Sequence, residues 1–257
     1  MVVVRSEKLT VEKLFMSAHH MPFCIPALPK SHFWSGDQIK HFVDELYQFT
    51  LNNLTDDPFW IIGLRNNKNL EISADVEYSL GSIVSVDSVF NGRMIQLIAD
   101  GQQRIIILFL LLRALHSVLD WSYNHLSDTK KTKNPMEFSW LGTIPWSQDS
   151  RDTIGLTIGL LPVESLYTSL PICADLQDER SQQALADIFV SGKANSKDDN
   201  FYSESYLLLK SHCRKILAGV QCFPKRFFAF VDTVLHHTVV FSVKGLSYES
   251  SINLLDR

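Results

Sequence analysis

The feature that most constrains this chain is the run Ile105-Ile106-Ile107-Leu108-Phe109-Leu110-Leu111-Leu112, eight apolar residues closed by Arg113. It is too short to cross a bilayer, which takes about 20 such residues. It has to be buried inside a protein core, and the spacing predicts a helix from about Gln103 to about Leu119. Just before it, "MIQLIA" reads as a strand. Between these two segments that both seek burial stand Asp100-Gly101-Gln102-Gln103-Arg104. Five polar or flexible residues at such a junction are either an ordinary turn or the place where chemistry sits.

The rest of the composition suits a folded, soluble chain. Of its 257 residues 46% are hydrophobic and 20% charged, enough for a sizeable core. The formal net charge of −4 argues against an unspecific nucleic-acid coat, though it leaves room for a local basic groove. Four cysteines, Cys24, Cys173, Cys213 and Cys222, lie far apart with no CxxC pair. That pattern is neither a zinc site nor a disulfide framework and fits a reducing cytoplasm. The opening "MVVVRSEKLT" turns charged at once, unlike a signal peptide. The expectation is a cytoplasmic protein without a membrane partner.

Along the chain, Thr10 is placed to cap a helix through Val11, Leu14 and Phe15. Pro22, Pro26 and Pro29 favour an extended segment. Ser35 with Gln38 three residues on is a capping-box pattern before a helix carrying Ile39, Phe42, Val43, Leu46 and Tyr47. "DVEYSLGSIVSV" predicts a strand, with Gly81-Ser82 marking a bulge or a close backbone approach. "NGR" at Asn91 to Arg93 predicts a hairpin turn into "MIQLIA". After the polar break "SDTKKTKN" come a helix ended by Gly192, the helix "SESYLLLKSHCRKILAG", a helix "PKRFFAFVDTVLHH" with Pro224 in its first turn, and the strand "TVVFSVKG". The fold class expected is α+β. The chain stops at "INLLDR" just as a new element begins, as a piece cut from a longer protein would.

The central turn carries two readings. In the structural one Asp100 caps the helix, Gly101 supplies a positive φ and the three following polar residues coat the surface. In the chemical one the free N–H groups at the helix start attract phosphate. Arg104 then offers a planar fork for phosphate oxygens. Asp100 could hold a divalent cation or orient a water, and Gln102 and Gln103 could donate to phosphate. No GxxxxGK[ST] occurs, so this is not a Walker loop.

"DGQQR" between a strand and a Leu-rich helix resembles the signature of the N-terminal domain of GmrSD-type modification-dependent restriction enzymes, a domain similar to the ParB and sulfiredoxin nucleotidase-like fold. Three further pieces agree in order. They are the opening "EKLTVEKLF", then "IPALPKSHFWSGDQIKHFVDEL", and "YSLGSIVSV" ahead of the signature. The resemblance is most specific from Ile25 to Leu115. It implies a ParB-like nucleotide-binding part over residues 1–126, followed by a mainly helical part over 127–257 packed on the first and truncated at its C-terminus. It further implies a nucleoside-triphosphate-binding and hydrolysing regulatory domain of a bacterial anti-phage restriction system. The alternative is a non-catalytic module that binds nucleotide or modified DNA.

The implied catalytic residues are Asp100 and Arg104, with magnesium near Asp100. The implied nucleotide contacts are Gly101, Gln102, Gln103, Lys30, Trp34 and Ser82. Partners would be nucleotide, modified DNA and a nuclease domain or subunit not present in this chain. Two departures matter. Pro29-Lys30 stands where the family usually has Gln-Arg, which keeps a charge but loses the guanidinium fork. Ile105-Ile106-Ile107 stands where threonines often follow the signature arginine, so no hydroxyl is offered.

Other candidates have plainer readings. Trp34 either stacks on a base or anchors a helix to the core. His19-His20 and His236-His237 are adjacent pairs whose side chains diverge on regular backbone, a poor start for chelation. In "KRFF", Phe227, Phe228 and Phe230 read as core. A direct phosphodiesterase would need clustered metal ligands, and none neighbours Asp100 in sequence.

Overall fold

A computed structural model describes residues 5–26, 33–54, 72–90, 92–128, 146–158, 172–173, 179–195, 200–219 and 224–245. Lys30, Pro29, Asn91 and the lysines of "DTKKTK" lie outside the described residues. The chain is α+β, with seven α-helices and one mixed sheet among those residues. In chain order the elements are β1 (Arg5–Thr10), α1 (Val11–Ala18), β2 (Phe23–Cys24), α2 (Gly36–Asn52), β3 (Tyr78–Phe90), β4 (Arg93–Asp100) and α3 (Gln102–Asp128). Then follow α4 (Trp146–Thr157), β5 (Ile172–Cys173), α5 (Glu179–Ser191), α6 (Phe201–Gly219), α7 (Pro224–Asp232), a π-helical turn (Thr233–His237) and β6 (Thr238–Lys244).

The sheet order is β1-β6-β3-β4-β2-β5. β1 runs antiparallel to β6, β6 parallel to β3, β3 antiparallel to β4, and β2 parallel to both β4 and β5. β6 comes from the second half of the chain yet lies between β1 and β3. The sheet is therefore built from both halves. α3 is the centre of the helical layer and packs against α4 and α6, while α2 packs against α6 and α7.

Every residue from Ile105 to Leu112 is fully buried. Each such side chain is worth about 1.5–3 kcal/mol relative to exposure, which is why this helix organises the core. Over Gln102–Asp120 the helix is long and apolar enough to cross a membrane, and 78% of that stretch is buried inside the fold. Phe227, Phe228 and Phe230 are also core residues.

Local signals hold where they are local. Thr10 caps α1 by accepting from the Lys13 N–H. Ser35 and Gln38 form the reciprocal capping box of α2. β3 and β4 make the expected hairpin, with Phe90 opposite Arg93 and Gly92 at φ 75°. The pairing of β3 with β6 shifts register between Ser79 and Ser82, and Gly81 there has φ 84°. Gly192 ends α5 at φ 61°.

Three elements depart from expectation. β1 was not foreseen, because an exposed edge strand reading Arg-Ser-Glu-Lys carries no apolar alternation. α4 lies in a stretch without clear periodicity. The last helix does not run regularly to His237, since α7 gives way to the π-helical turn at Thr233.

Candidate functional site

The turn between β4 and α3 is built by backbone constraint first. β4 runs to Asp100, and α3 begins at Gln102. Gly101 stands between them at φ 83°, and its carbonyl accepts the first helical hydrogen bond, from the Ile105 N–H at 3.1 Å. A Cβ at Gly101 would lie 2.9 Å from Ile83 Cγ1 and 3.1 Å from the Ser82 carbonyl oxygen. The glycine is thus required twice, by conformation and by its approach to β3. The capping position belongs to Gly101 and not to Asp100. Among the described residues the Asp100 carboxylate pairs instead with Arg104, Nη1 to Oδ2 at 3.8 Å.

Arg104 reaches sideways over the bulge in β3. Its Nη1 donates to the Ser82 carbonyl at 3.0 Å, and its guanidinium lies beside Gly81, close enough that a Cβ there would be in ordinary contact. Asp100 and Arg104 side chains are each 34% exposed, so both reach water. Gln102 turns back on the strand, its Nε2 donating to Ile98 O at 3.2 Å and Ala99 O at 2.8 Å. Gln103 Oε1 accepts from the Trp34 backbone N–H at 3.4 Å, which ties the start of α2 to the start of α3. The Gln103 Nε2 is buried and, among the described residues, has no hydrogen-bond partner. The Trp34 ring meets Phe42 edge-on at 5.5 Å and is partly buried against the core.

The fold therefore gathers Asp100, Gly101, Gln103, Arg104, Trp34 and the Ser82 backbone at one corner. The exposed Ser82 hydroxyl is on the adjacent strand. Gln102 is committed to the strand end. Lys30 is outside the described residues. Ile105, Ile106 and Ile107 all point into the core and line nothing accessible. Among the described residues no three His, Cys, Asp or Glu side chains are grouped to hold a metal ion. Asp100 is the carboxylate at the turn, so it suits magnesium brought by a phosphate ligand, which needs one or two protein carboxylates, better than a dedicated metal cage.

The histidine pairs have other work. His19 Nε2 lies 2.9 Å from Thr157 O. His236 Nδ1 sits 2.6 Å from Asp232 Oδ1, and its Nε2 is 3.5 Å from Glu12. His237 Nε2 is 3.5 Å from the other Asp232 oxygen. The hydrogen bond to Asp232 is the main cause that raises the His236 pKa above its ordinary value.

A second polar centre lies on the same helix, one that the apolar run conceals. Arg113 is only 5% exposed. Its Nε donates to the carbonyls of Ile188 at 3.0 Å and Phe189 at 2.9 Å, in the last turn of α5. Its Nη1 donates to Ser117 Oγ at 2.7 Å and meets His116 Nδ1 at 3.3 Å. Ser117 Oγ is 2.8 Å from the Tyr206 hydroxyl, which donates to Gly192 O at 2.7 Å. Since that donation uses the Tyr206 proton, Ser117 donates to Tyr206, and the chain runs one way from Arg113 to the Gly192 carbonyl. A cation here also meets the negative end of α5. Burial lowers the Arg113 pKa, opposed by Tyr206 and Asp120. Burial, then Arg113, push His116 down to about 4. The only sequence signal was Arg113, His116 and Ser117 at i, i+3 and i+4 in an otherwise apolar helix.

No known family model matches this chain, and no curated protein does.

Proposed function

We propose that this chain is a nucleoside-triphosphate-binding and hydrolysing regulatory domain of a bacterial anti-phage, modification-dependent restriction system, working in the cytoplasm with a nuclease partner and modified DNA. The observation that carries this reading is the corner at the start of α3. Asp100 and Arg104 stand together there, both reach water, and they flank a glycine turn at a helix N-terminus. Arg104 is held by one carbonyl and a long ion pair, so it can turn to phosphate oxygens at small cost. The buried Gln103 amide leaves a donor that an oxygen acceptor would satisfy. Asp100 would hold the magnesium that accompanies the triphosphate, an ion that neutralises phosphate charge during transfer.

The second reading, a binding module without turnover, is favoured by one observation. Asp100 is the one carboxylate in the turn sequence Asp100 to Arg104, and among the described residues no three possible metal ligands are grouped. The experiment is phosphate release by the purified chain with each of the four nucleoside triphosphates and magnesium, beside Arg104→Ala. Turnover abolished by the substitution supports the nucleotidase. Nucleotide binding without phosphate release supports the module, and absence of both overturns the assignment of the turn.

A further inference from the structure

β6 carries an aromatic ring that the fold leaves at the surface. Val240 and Ser242 are buried and turn to the core, and Phe241 between them turns to the opposite face and is 45% exposed. Val89, Phe90 and Met94, also exposed, lie at the end of the β3–β4 hairpin. Phe241 instead stands inside the sheet, on a strand paired with β1 on one side and β3 on the other. A single apolar side chain at a surface is ordinary in itself. What sets this one apart is its neighbours.

In the ladders Phe241 is opposite Ser82 of β3 and Lys8 of β1. Partners across a sheet share a face, so the ring lies in one row with these two exposed residues. β4 ends at Asp100, opposite Val84. Past that end, the side of β3 away from β6 is taken by Arg104, whose Nη1 donates to the Ser82 carbonyl at 3.0 Å and whose guanidinium lies beside Gly81. Ser82 therefore stands between Arg104 and Phe241. The guanidinium and the ring are about two strand spacings apart, or about 10 Å. Asp100 joins the same face. Ile98 pairs with buried Ser85, and the register shift that follows sets Asp100 opposite Val84, which points away from core-facing Ile83 and Ser85.

The row fits one orientation of a ligand. At its far end Lys8 Nζ is bound by both Glu77 carboxylate oxygens at 2.7 Å. Arg104, held by one carbonyl and a 3.8 Å ion pair, is the cation of this row that can turn to phosphate. Trp34, at the same corner, turns its ring to Phe42 and the core. Phe241 presents its ring to water, and a ribose with its phosphates bridges the gap from there to the guanidinium.

We infer that Phe241 is the platform on which the base of a bound nucleoside triphosphate stacks, with the phosphates at Arg104. This rests on the nucleotide reading of the α3 turn and adds which way the ligand lies. The backbone around Phe241 is engaged in ladders on both sides, so the base is held by its flat face and not read along its edge. Every base has such a face, and the site accepts purine and pyrimidine nucleotides alike.

The test is isothermal titration calorimetry of the full chain with magnesium and three probes. Two are the β,γ-methylene analogues of ATP and CTP, which resist hydrolysis, and the third is inorganic triphosphate, which has no base. Phe241→Ala should weaken both nucleotides by about 5- to 150-fold, the range of a lost base–aromatic stack, and leave inorganic triphosphate unchanged. The unchanged triphosphate affinity also shows that the variant is folded. Phe241→Trp should keep nucleotide binding, and Arg104→Ala should weaken all three probes. Nucleotide affinity untouched by Phe241→Ala but lost in Arg104→Ala overturns the platform alone. Equal weakening of inorganic triphosphate by Phe241→Ala, or binding of one base only, overturns it too. A wild-type chain that binds none of the three probes overturns the reading of the turn and the platform with it.

Discussion

Two arginines on one helix, nine residues apart, have opposite surroundings. Arg113 is buried and donates to two carbonyls and a serine while meeting a histidine nitrogen. Arg104 reaches water, makes one hydrogen bond to a carbonyl and lies 3.8 Å from a carboxylate. A guanidinium whose donors are satisfied inside the protein cannot leave without orphaning its partners. One that is held loosely at the surface can exchange those contacts for a ligand. The helix thus separates a structural arginine from one available for binding, and that separation can be tested.

The largest effect is expected at the buried site. Arg113→Ala removes the packing of a long side chain and leaves the Phe189 carbonyl and Ser117 short of a donor, while the Ile188 carbonyl keeps the Gly192 N–H. The cost should be about 3–5 kcal/mol, within the range of lost buried polar networks and core truncations. Urea unfolding followed by circular dichroism measures it. A loss below about 1 kcal/mol, the size of an ordinary single hydrogen bond, would show that the network is dispensable and the contrast between the arginines false.

The next effect sharpens the contrast through pH. His116 stands beside Arg113 and is pushed down to about 4 in the fold, by burial first and by Arg113 second. Its unfolded value is about 6.5. As pH falls from about 6.5 toward about 4, the unfolded chain takes up a proton that the folded chain refuses, so this group lowers stability on acidification. His236 works the other way. Its raised pKa gives stability that is fully present below about 6.5 and is lost as pH rises through the folded value. His116→Asn should therefore reduce the loss of stability on acidification from about pH 6.5 to about pH 5 by something on the order of 1 kcal/mol, with the His236 contribution unchanged. Equal pH slopes for wild type and variant would show that burial and Arg113 together do not shift His116 in the fold.

The difference between the two arginines also explains what could be read in advance. Strand, glycine turn and helix around Arg104 are local events, and so were the Ser35 capping box and the Gly81 bulge. Each depends on residues a few positions apart, and each was legible. The α+β class followed from the same signals. Arg113 was not legible as a centre, because its partners in α5 lie 75 and 76 residues away in sequence. β1 escaped for a related reason: it is a strand only because β6 pairs with it. The placement of β6 between β1 and β3 is likewise set by pairing between distant segments. The amphipathic spacing of α6 was present as letters, yet only the assembled fold shows that Leu209, Cys213, Ile216 and Leu217 are the side turned to the core.

A much smaller loss of stability than at Arg113 should come from Arg104→Ala, and it governs how loss of turnover is interpreted. The ion pair to Asp100 is long and partly solvated, and such pairs contribute about 0–1 kcal/mol. The hydrogen bond to Ser82 O adds about as much, and its acceptor can turn to water when the guanidinium is gone. The variant should lose no more than about 2 kcal/mol in the same urea titration. A loss that small, with phosphate release gone, ties the defect to the chemistry of the turn. A loss approaching that of Arg113→Ala would mean that Arg104 braces the bulge of β3 against α3, and that its absence disorders the corner instead of emptying a ligand site. Arg104→Lys distinguishes these outcomes further, since a lysine can keep a contact to Ser82 O but cannot fork onto two phosphate oxygens. Stability near wild type with turnover still lost would assign the fork to the ligand.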